Sequence, residues 1–322
     1  MTKALYLSRN DVEKVGLPME EIIENIEWMF REKGEGRLEA PPKPAIHPCK
    51  DSFVNAMLAY LPSMNTAGLK WISTFPENPR KGLPCIAGLL ILNDPETGIP
   101  RCIMDCTWIT AKRTGAATAV AAKYLARKNS EIVAVLGCGI QGYGNLEALD
   151  YLFPIRLVKA FDIMEGKARD YAERVNEYLG LKVKVVQSAE EAVRESDLIV
   201  TAGPTRKNPN PIIEDAWMEP GAFAAPVDYD SYWKPEALLH MDKFYTDDVA
   251  QMMYHKRLGY FQNLPERVLD LGDLVTGRSP GRVTDTERTM SMNLGLAGED
   301  ISTATLIWQR AKEKGIGIPL EL

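Results

Sequence analysis

The 322-residue sequence contains few of the residues that build metal sites and disulfide frameworks. It has 3 histidines and 5 cysteines, and no two cysteines form a CxxC pair. Zinc sites need histidine and cysteine ligands clustered at short spacings, so we expect no metal site. We interpret the closest pair, Cys102 and Cys106, as small buried side chains between a strand and a helix. An odd number of free thiols agrees with a reducing cytoplasm.

Long apolar runs and blocks of like charge are also missing. The apolar runs, such as residues 86–92, reach about seven residues, whereas a bilayer-spanning helix needs about 20. The first ten residues show no apolar stretch typical of a secretory signal. With 38 basic and 44 acidic residues and no basic block, nucleic acid is not an expected partner. These absences favour a cytoplasmic globular protein without a membrane partner.

Helix and strand patterns divide the sequence at about residue 129. Before it, an amphipathic helix is predicted over 18–33, a β pattern over 53–105 and an alanine-rich helix over 107–128. After it, strands alternate with helices: the predicted strands are 132–136, 157–162, 182–186 and 197–203, and the predicted helices are 141–152, 165–179 and one that a capping box of Ser188 and Glu191 opens. This βαβαβ order predicts a parallel sheet with helices on both faces. A last helix is predicted over 301–314.

A glycine-rich turn directly follows the first strand of this alternating region. Its residues are Gly137, Cys138, Gly139, Ile140, Gln141 and Gly142, and the next helix begins within it. In dinucleotide-binding turns the first glycine allows the tight turn, the second lets the backbone approach the pyrophosphate, and the third lets helix and strand pack closely. The helix N-terminus then offers N–H groups to the phosphates. The alternative interpretation is a structural glycine turn.

Asp162 lies 20 residues beyond Gly142, at the end of the second predicted strand. A carboxylate there accepts hydrogen bonds from the ribose hydroxyls and repels a 2′-phosphate, which favours NAD over NADP. The following Ile163 supplies no arginine for a phosphate. Thr201 and Gly203, at the end of the fourth predicted strand, complete the predicted cofactor site.

Three cations stand out before the alternating region. Lys43 lies in a proline-rich segment, Lys70 in a strand between Leu69 and Trp71, and Arg113 in the alanine-rich helix. Taken singly, each is interpreted as an ordinary solvated charge, because these side chains are rarely fully buried. Lys112, beside Arg113, is interpreted as a solvated helix charge, and the alternative is a contact to a second acidic group.

Together with the glycine turn, these residues lie in segments that resemble the ornithine cyclodeaminase/mu-crystallin family. The segments are 67–71, 81–84, 91–98, 104–105, 113–117, 122–127 and 137–142. The similarity to the archaeal alanine dehydrogenase branch is closest over 67–150 and weakens after about Asp228. The resemblance implies a Rossmann doubly wound domain (126–300) that binds NAD. It also implies an α+β substrate-binding and dimerisation domain (1–125, completed by 301–322) in a homodimer.

The resemblance also implies roles for individual residues. Arg113 and Lys43 correspond to the clamp for the substrate α-carboxylate, Lys70 to the catalytic lysine and Asp228 to the active-site aspartate. These roles agree with their chemistry, because arginine grips a carboxylate through two charge-assisted hydrogen bonds. A lysine buried near Arg113 is expected to have a lowered pKa and to exchange protons near neutrality.

Two departures from the family pattern bear on the substrate. Asn55 stands where the dehydrogenase branch tends to carry arginine and the cyclodeaminases glutamate, and it is retained as a candidate substrate-binding residue. Tyr229, Tyr232 and Trp233 replace the usual glycine- and proline-containing loop after the aspartate. Two interpretations stay open for these rings: they shape a different substrate pocket, or they pack at the domain interface.

The predicted function is that of an NAD-dependent oxidoreductase that interconverts a small α-amino acid and its imino or keto acid. The alternative is an ornithine or lysine cyclodeaminase, an ammonia-lyase that borrows and returns the hydride. The missing glutamate at Asn55 favours net redox chemistry. A third class, a non-catalytic nucleotide-dependent binding protein, is disfavoured because Lys70 and Asp228 are present.

Overall fold

The structure, a computed structural model, describes residues 2–322 and divides into two compact units. The first unit comprises the chain up to Arg113 together with Gly295–Leu322, and the second comprises Thr114–Leu294. Among the described residues, no helix is long and apolar enough to cross a membrane.

Strands and helices alternate along much of the chain. In chain order, the strands are β1 (Lys3–Leu7), β2 (Ala45–Ile46), β3 (Phe53–Leu61), β4 (Thr66–Thr74), β5 (Ile86–Asn93), β6 (Pro100–Asp105), β7 (Ile132–Leu136), β8 (Leu157–Phe161), β9 (Val183–Val185), β10 (Leu198–Thr201), β11 (Phe223–Pro226), β12 (Lys243–Thr246), β13 (Leu269–Asp270), β14 (Thr289–Ser291) and β15 (Ile318–Glu321). The helices are α1 (Arg9–Val15), α2 (Met19–Gly34), α3 (Thr107–Leu125), α4 (Ile140–Leu152), α5 (Glu165–Leu179), α6 (Ala189–Val193), α7 (Pro235–Leu239), α8 (Val249–Arg257), α9 (Leu271–Val275) and α10 (Ala297–Lys314).

The first unit is built on a seven-stranded mixed sheet in the order β15-β1-β6-β5-β4-β3-β2. Helix α10 packs across β3, β4 and β5 and against α2, which places the core of this unit between sheet and helices. Successive side chains of a strand point to opposite faces, so alternate residues of β4 face α10. Thr66 contacts Thr305, and Lys70 contacts Asp300, both on α10.

The opposite face of the same sheet exposes large apolar side chains. Trp71 and Leu89 lie side by side on paired strands and are 47% and 45% exposed. Leu58, on β3, is 44% exposed. Contiguous exposed apolar patches of this kind are found at interaction sites of proteins.

The second unit contains an eight-stranded sheet in the order β13-β12-β14-β11-β10-β7-β8-β9, in which the paired strands are parallel. The predicted α/β class with a parallel sheet is therefore confirmed. The chain winds outward from β7 in both directions, because β8 and β10 lie on its two sides. Ligands of such sheets bind at the carboxyl ends of the strands at this switch point.

The small residues of α3 have a packing reason. A Cβ atom at Gly115 would lie 2.1 Å from the carbonyl oxygen of Gly144 on α4, so only glycine allows this helix–helix approach. The helix ends at Leu125, three residues before the predicted end.

Two helix starts differ from the sequence prediction. The hydroxyl of Ser188 accepts the hydrogen bond from the Glu191 N–H, but the Glu191 carboxylate accepts from the N–H of Gln187 and pairs with Lys184, so the predicted capping box is only half formed. Helix α10 begins at Ala297 rather than at 301. Its first turn therefore carries Glu299 and Asp300, which are fully buried.

Candidate active site

The three motif glycines of the second unit have different surroundings. Gly137 has a φ of +100°, and a Cβ there would lie 2.6 Å from the backbone of Ala202. A Cβ at Gly142 would lie 2.3 Å from the Gly137 carbonyl oxygen, so this glycine sets the approach of α4 to the turn. Gly139 has open space around its Cβ position, which leaves room for a ligand.

The N-terminus of α4 faces that open space. Gly139 is the N-cap and has no side chain to bind the first N–H groups of the helix. Ile140 follows and is 62% exposed, and Gln141 comes next in the first turn. N–H groups at such an end, with the positive end of the helix dipole, bind phosphate groups.

Asp162 is held in place by two backbone N–H groups. Its carboxylate accepts hydrogen bonds from Cys138 N at 3.0 Å and from Met164 N at 2.9 Å. A cavity of about 370 Å³ adjoins it, lined by Ile163, Val185 and Gln187 among others. The glycine turn, the open helix end, the anchored carboxylate and this cavity together fit an adenine dinucleotide.

Asp228 lies just beyond β11 and is fully buried. It accepts hydrogen bonds from the Thr201 hydroxyl at 2.7 Å and from the Gly203 N–H at 2.8 Å. Burial raises the pKa of Asp228 to about 7, although both hydrogen bonds act to lower it. A carboxyl group with this pKa gains and loses a proton near neutral pH.

The three aromatic residues after Asp228 belong to the interior of the second unit. Tyr229 and Trp233 are part of its apolar core, and Tyr232 packs against that core. Tyr229 has a φ of 63°, and its ring makes edge contacts with Tyr260. The ring of Tyr232 covers Gly203 so closely that a Cβ there would lie 2.1 Å from the tyrosine hydroxyl.

In the first unit, Lys70 lies in a site closed to solvent. Its ammonium group is 2.6 Å from Asp300 Oδ2 and donates to the Thr110 hydroxyl at 3.4 Å. That hydroxyl donates its own hydrogen to the Cys106 carbonyl, so it can only accept from Lys70. Burial lowers the pKa of Lys70, the positive charge of Arg113 lowers it further, and Asp300 opposes both effects.

Arg113 is buried beside the same carboxylates. Its NH1 donates to Glu299 Oε2 at 2.6 Å, and its Nε donates to Asp300 Oδ1 at 3.0 Å. Asp300 therefore bridges Arg113 and Lys70. We call Lys70, Arg113, Glu299 and Asp300 the ionic cluster. Two cations and two carboxylates balance its charge, as buried charges require.

Lys43 and Arg113 converge on the backbone of Gly295. The Lys43 ammonium donates to the Gly295 carbonyl at 3.3 Å. Gly295 has a φ of +84°, and a Cβ there would lie 2.9 Å from Arg113 NH1. Asn55 is buried on β3 opposite Ile72, and by strand alternation it shares the sheet face of Lys70. Lys112, in contrast, lies with its ammonium 5.6 Å from the Trp108 ring centre.

Glu299, Asp300 and the cavity beside Asp162 were not predicted from the sequence. Two neighbouring acidic residues in the first turn of a helix are a common surface feature, because the helix dipole favours them there. Their place beside two buried cations depends on the packing of α10 on the sheet. The cavity residues Val185 and Gln187 had a weak signal, since they lie at the end of the third predicted strand, where such sheets bind ligands.

The parallel sheet, the glycine turn at its switch point and Asp162 define a Rossmann-type dinucleotide-binding protein. Residues 2–315 match the model of the ornithine cyclodeaminase/mu-crystallin family. The chain belongs to this family, and the predicted family is confirmed.

Two relatives align over nearly the whole chain. The nodulation efficiency protein NfeD of Rhizobium meliloti is 38% identical over 314 residues, which cover 97% of each chain. The alanine dehydrogenase of Archaeoglobus fulgidus is 36% identical over 323 residues, covering 98% of this chain and 97% of the relative. The predicted similarity to the archaeal alanine dehydrogenase branch is thus supported.

Two solved structures share the fold closely. An archaeal alanine dehydrogenase dimer with bound NAD has a TM-score of 0.88 and 34% identity, with both chains fully covered. The Δ(1)-pyrroline-2-carboxylate reductase of Thermococcus litoralis, in complex with NADH and L-proline, has a TM-score of 0.88 and 32% identity, covering 98% of this chain and 100% of the other.

Proposed function

We propose that this protein is an NAD(H)-dependent oxidoreductase that interconverts a small α-amino acid and its α-imino or keto acid, with Lys43, Lys70, Arg113 and Asp228 as its working residues. The observation that carries the proposal is a fully buried lysine beside a buried arginine. Such an arrangement is costly for stability, so a lysine with a lowered pKa beside another cation points to a functional site. The two units carry separate tasks.

The class of the enzyme agrees with its relatives. The alanine dehydrogenase of Archaeoglobus fulgidus and the Δ(1)-pyrroline-2-carboxylate reductases of Bacillus cereus reduce or oxidise small amino or imino acids by name. They confirm the predicted oxidoreductase class and NAD as cofactor over the cyclodeaminase alternative. A lysine cyclodeaminase structure is also similar, with a TM-score of 0.86, but at 25% identity.

The second unit holds the cofactor. The N–H groups of Ile140 and Gln141 and the open position at Gly139 take the pyrophosphate, Asp162 takes the ribose, and the adjoining cavity takes the adenine. NAD(H) supplies the hydride chemistry when bound. The domain assignment made from the sequence, with 126–300 as the cofactor domain and 1–125 with 301–322 as the substrate domain, stays a proposal; the compact units of the structure divide at Arg113 and Gly295 instead.

The first unit holds the substrate carboxylate. Lys43 and Arg113 both contact Gly295, which places two cations around one short backbone segment. Lys43 and the ionic cluster together contain three cations and two carboxylates when Lys70 is protonated. One substrate carboxylate neutralises the remaining positive charge. The buried Asn55 lies on the same sheet face as Lys70 and offers its amide group as a further hydrogen-bonding partner for the substrate.

Lys70 and Asp228 exchange protons with the substrate. Burial and the positive charge of Arg113 lower the pKa of Lys70, which makes it a better proton donor than a solvated lysine, and we assign to it the proton exchange at the reacting nitrogen or oxygen. Asp228, with a pKa of about 7, exchanges a proton near neutral pH.

We further propose a cytoplasmic homodimer formed through the exposed face of the first sheet. Trp71, Leu58 and Leu89 supply the apolar surface, and a dimer buries it. Trp71 and Lys70 are neighbours in β4 and point to opposite faces, so the dimer surface and the ionic cluster share one strand.

The proposal is tested with the purified protein and NADH. Consumption of NADH is measured with pyruvate or glyoxylate plus ammonia and with cyclic imines such as Δ(1)-pyrroline-2-carboxylate, and ammonia is measured in parallel. We expect stoichiometric oxidation of NADH with at least one substrate. Lys70→Met and Asp228→Asn are each expected to lower kcat by about 10²–10⁴-fold. The matched control, Lys112→Met, keeps near-full activity because Lys112 lies against Trp108.

The other outcomes identify the competing functions. Ammonia release from ornithine or lysine without accumulation of NADH indicates a cyclodeaminase. Tight binding of NADH without turnover of any amino or imino acid indicates a nucleotide-dependent binding protein. Either result contradicts the proposed dehydrogenase activity.

A further inference from the structure

Trp233 is connected to Asp228 through one hydroxyl group. The Trp233 indole N–H donates to Thr201 Oγ1 at 3.1 Å, and Thr201 Oγ1 donates to Asp228 Oδ1 at 2.7 Å. All three side chains are buried, with Trp233 2% exposed and the other two 0%. Trp233 belongs to residues 229–233, which we call the aromatic loop.

The chemistry of the three groups fixes the direction of each hydrogen bond. An indole N–H only donates, so Thr201 must act as its acceptor. The single hydroxyl hydrogen of Thr201 is then available for Asp228, which accepts as a carboxylate. If a neutral Asp228 donated to Thr201, the hydroxyl hydrogen would lose this acceptor, because the indole cannot accept it. The network therefore stabilises the ionised carboxylate, and hydrogen bonds in such a chain polarise one another.

We propose that Trp233 is a positioning residue: acting through Thr201, its indole N–H directs the hydroxyl hydrogen to Asp228 and connects the aromatic loop to the active-site aspartate. The inference rests on the proposed role of Asp228 in proton exchange. A buried indole N–H needs an acceptor, and the acceptor of Trp233 is the same hydroxyl that donates to this carboxylate.

Other groups also face Asp228. The Gly203 N–H donates to its second oxygen, and Asp230 raises its pKa by like charge. The negative charge of Asp228 in turn raises the pKa of Tyr232. None of these groups is altered when only the indole N–H is removed. The contribution of Trp233 can therefore be measured separately.

The sharpest perturbation replaces Trp233 with 3-benzothienylalanine, which keeps the bicyclic shape and has sulfur in place of the N–H. The ionisation of Asp228 is followed by infrared titration of the cofactor-free protein, with Asp228→Asn as the subtraction. In Thr201→Val we expect the pKa of Asp228 to rise by about one pH unit, because this change removes a hydrogen bond to a charged group. With benzothienylalanine at 233 we expect a rise of about half that size. Thr201→Ser, which keeps the hydroxyl, stays near the natural value.

Three further measurements show whether Trp233 acts on Asp228 through Thr201. In the Thr201→Val background, benzothienylalanine at 233 is expected to cause no further rise, because the connection is already broken. The same replacement at Trp217, which packs against the same core, leaves the pKa of Asp228 unchanged. The limb of the kcat/KM pH profile that reports Asp228 moves to higher pH with the infrared value.

An unchanged pKa with benzothienylalanine overturns the proposal, and so does a rise of equal size in the Thr201→Val background. If the infrared values change as expected while no amino or imino acid is turned over, Trp233 still positions Asp228 and the proposed function fails instead.

Discussion

Replacing Asp300 with asparagine tests the ionic cluster most directly. The change keeps the shape of the side chain and removes the negative charge 2.6 Å from the Lys70 ammonium. At that distance and an effective dielectric constant of 20, two unit charges attract each other by about 6 kcal/mol. Breaking a buried pair by removing one partner costs about 3–5 kcal/mol. We expect the lower end of this range, because Lys70 can lose its proton instead of staying charged.

The pH dependence of this loss follows from the direction of the Lys70 pKa shift. Folding lowers the pKa of Lys70 below its ordinary value of 10.5, so between the folded and unfolded pKa values the unfolded chain binds more protons and stability rises with pH. Asparagine at 300 lowers the folded pKa further. The rise of unfolding free energy with pH therefore starts at a lower pH in the variant than in the natural protein. As a result, the difference in unfolding free energy between the two proteins becomes smaller as pH rises.

Urea-induced unfolding, followed by circular dichroism at pH 6 and pH 9.5, measures both effects. Asp94→Asn is the matched control, since Asp94 pairs with Arg101 at 2.7 Å but both side chains are partly exposed, and such pairs contribute about 1 kcal/mol or less. Lys70→Met combined with Asp300→Asn is expected to lose at least about 1 kcal/mol less than the sum of the single losses. Any of three results would refute the coupling of Lys70 and Asp300. The first is a loss of unfolding free energy in Asp300→Asn no larger than that in Asp94→Asn, and the second is a loss that does not depend on pH. The third is a double variant whose loss equals the sum of the single losses.

Three further predictions concern the cofactor turn, the cofactor choice and the assembly. Gly139→Ala should weaken NADH binding at least about tenfold by calorimetry and keep the melting temperature, since the added Cβ meets open space. Gly142→Ala should lower the melting temperature, because the added Cβ would lie 2.3 Å from a carbonyl oxygen. Asp162→Ser combined with Ile163→Arg should move the ratio of kcat/KM for NADPH over NADH upward by at least about tenfold, and an unchanged ratio would contradict the role of Asp162. Trp71→Glu should yield a monomer by light scattering at micromolar concentration, and an unaltered dimer would place the interface elsewhere.

Much of the second unit could be predicted from the sequence, because its signals are local. The strand over 132–136, the turn from Gly137 to Gly142 and the position of Asp162 follow from apolar runs, glycine spacing and chain order. The roles assigned to Lys43, Lys70 and Arg113 came instead from the family resemblance, since an isolated lysine in a strand gives no sign of burial.

The partners of these cations could not be predicted in the same way. Glu299 and Asp300 lie more than 180 residues from Arg113 in the chain, and only the packing of α10 brings them together. The apolar periodicity of α10 begins at Ile301, so the pattern placed the helix start after the two carboxylates. The hydrogen bond from Trp233 to Thr201 likewise depends on tertiary packing, which leaves no spacing rule to detect it.

The alternation of β4 restricts where this chain can change its length. Inserting or deleting one residue within the strand would turn the Lys70 ammonium group to the outer face and place the Trp71 indole among the buried charges. Both the charge balance of the ionic cluster and the apolar patch would be lost. Length variation among natural relatives is therefore expected in the turns that flank the strand, such as residues 62–65, and insertion scanning should find β4 far less tolerant than those turns.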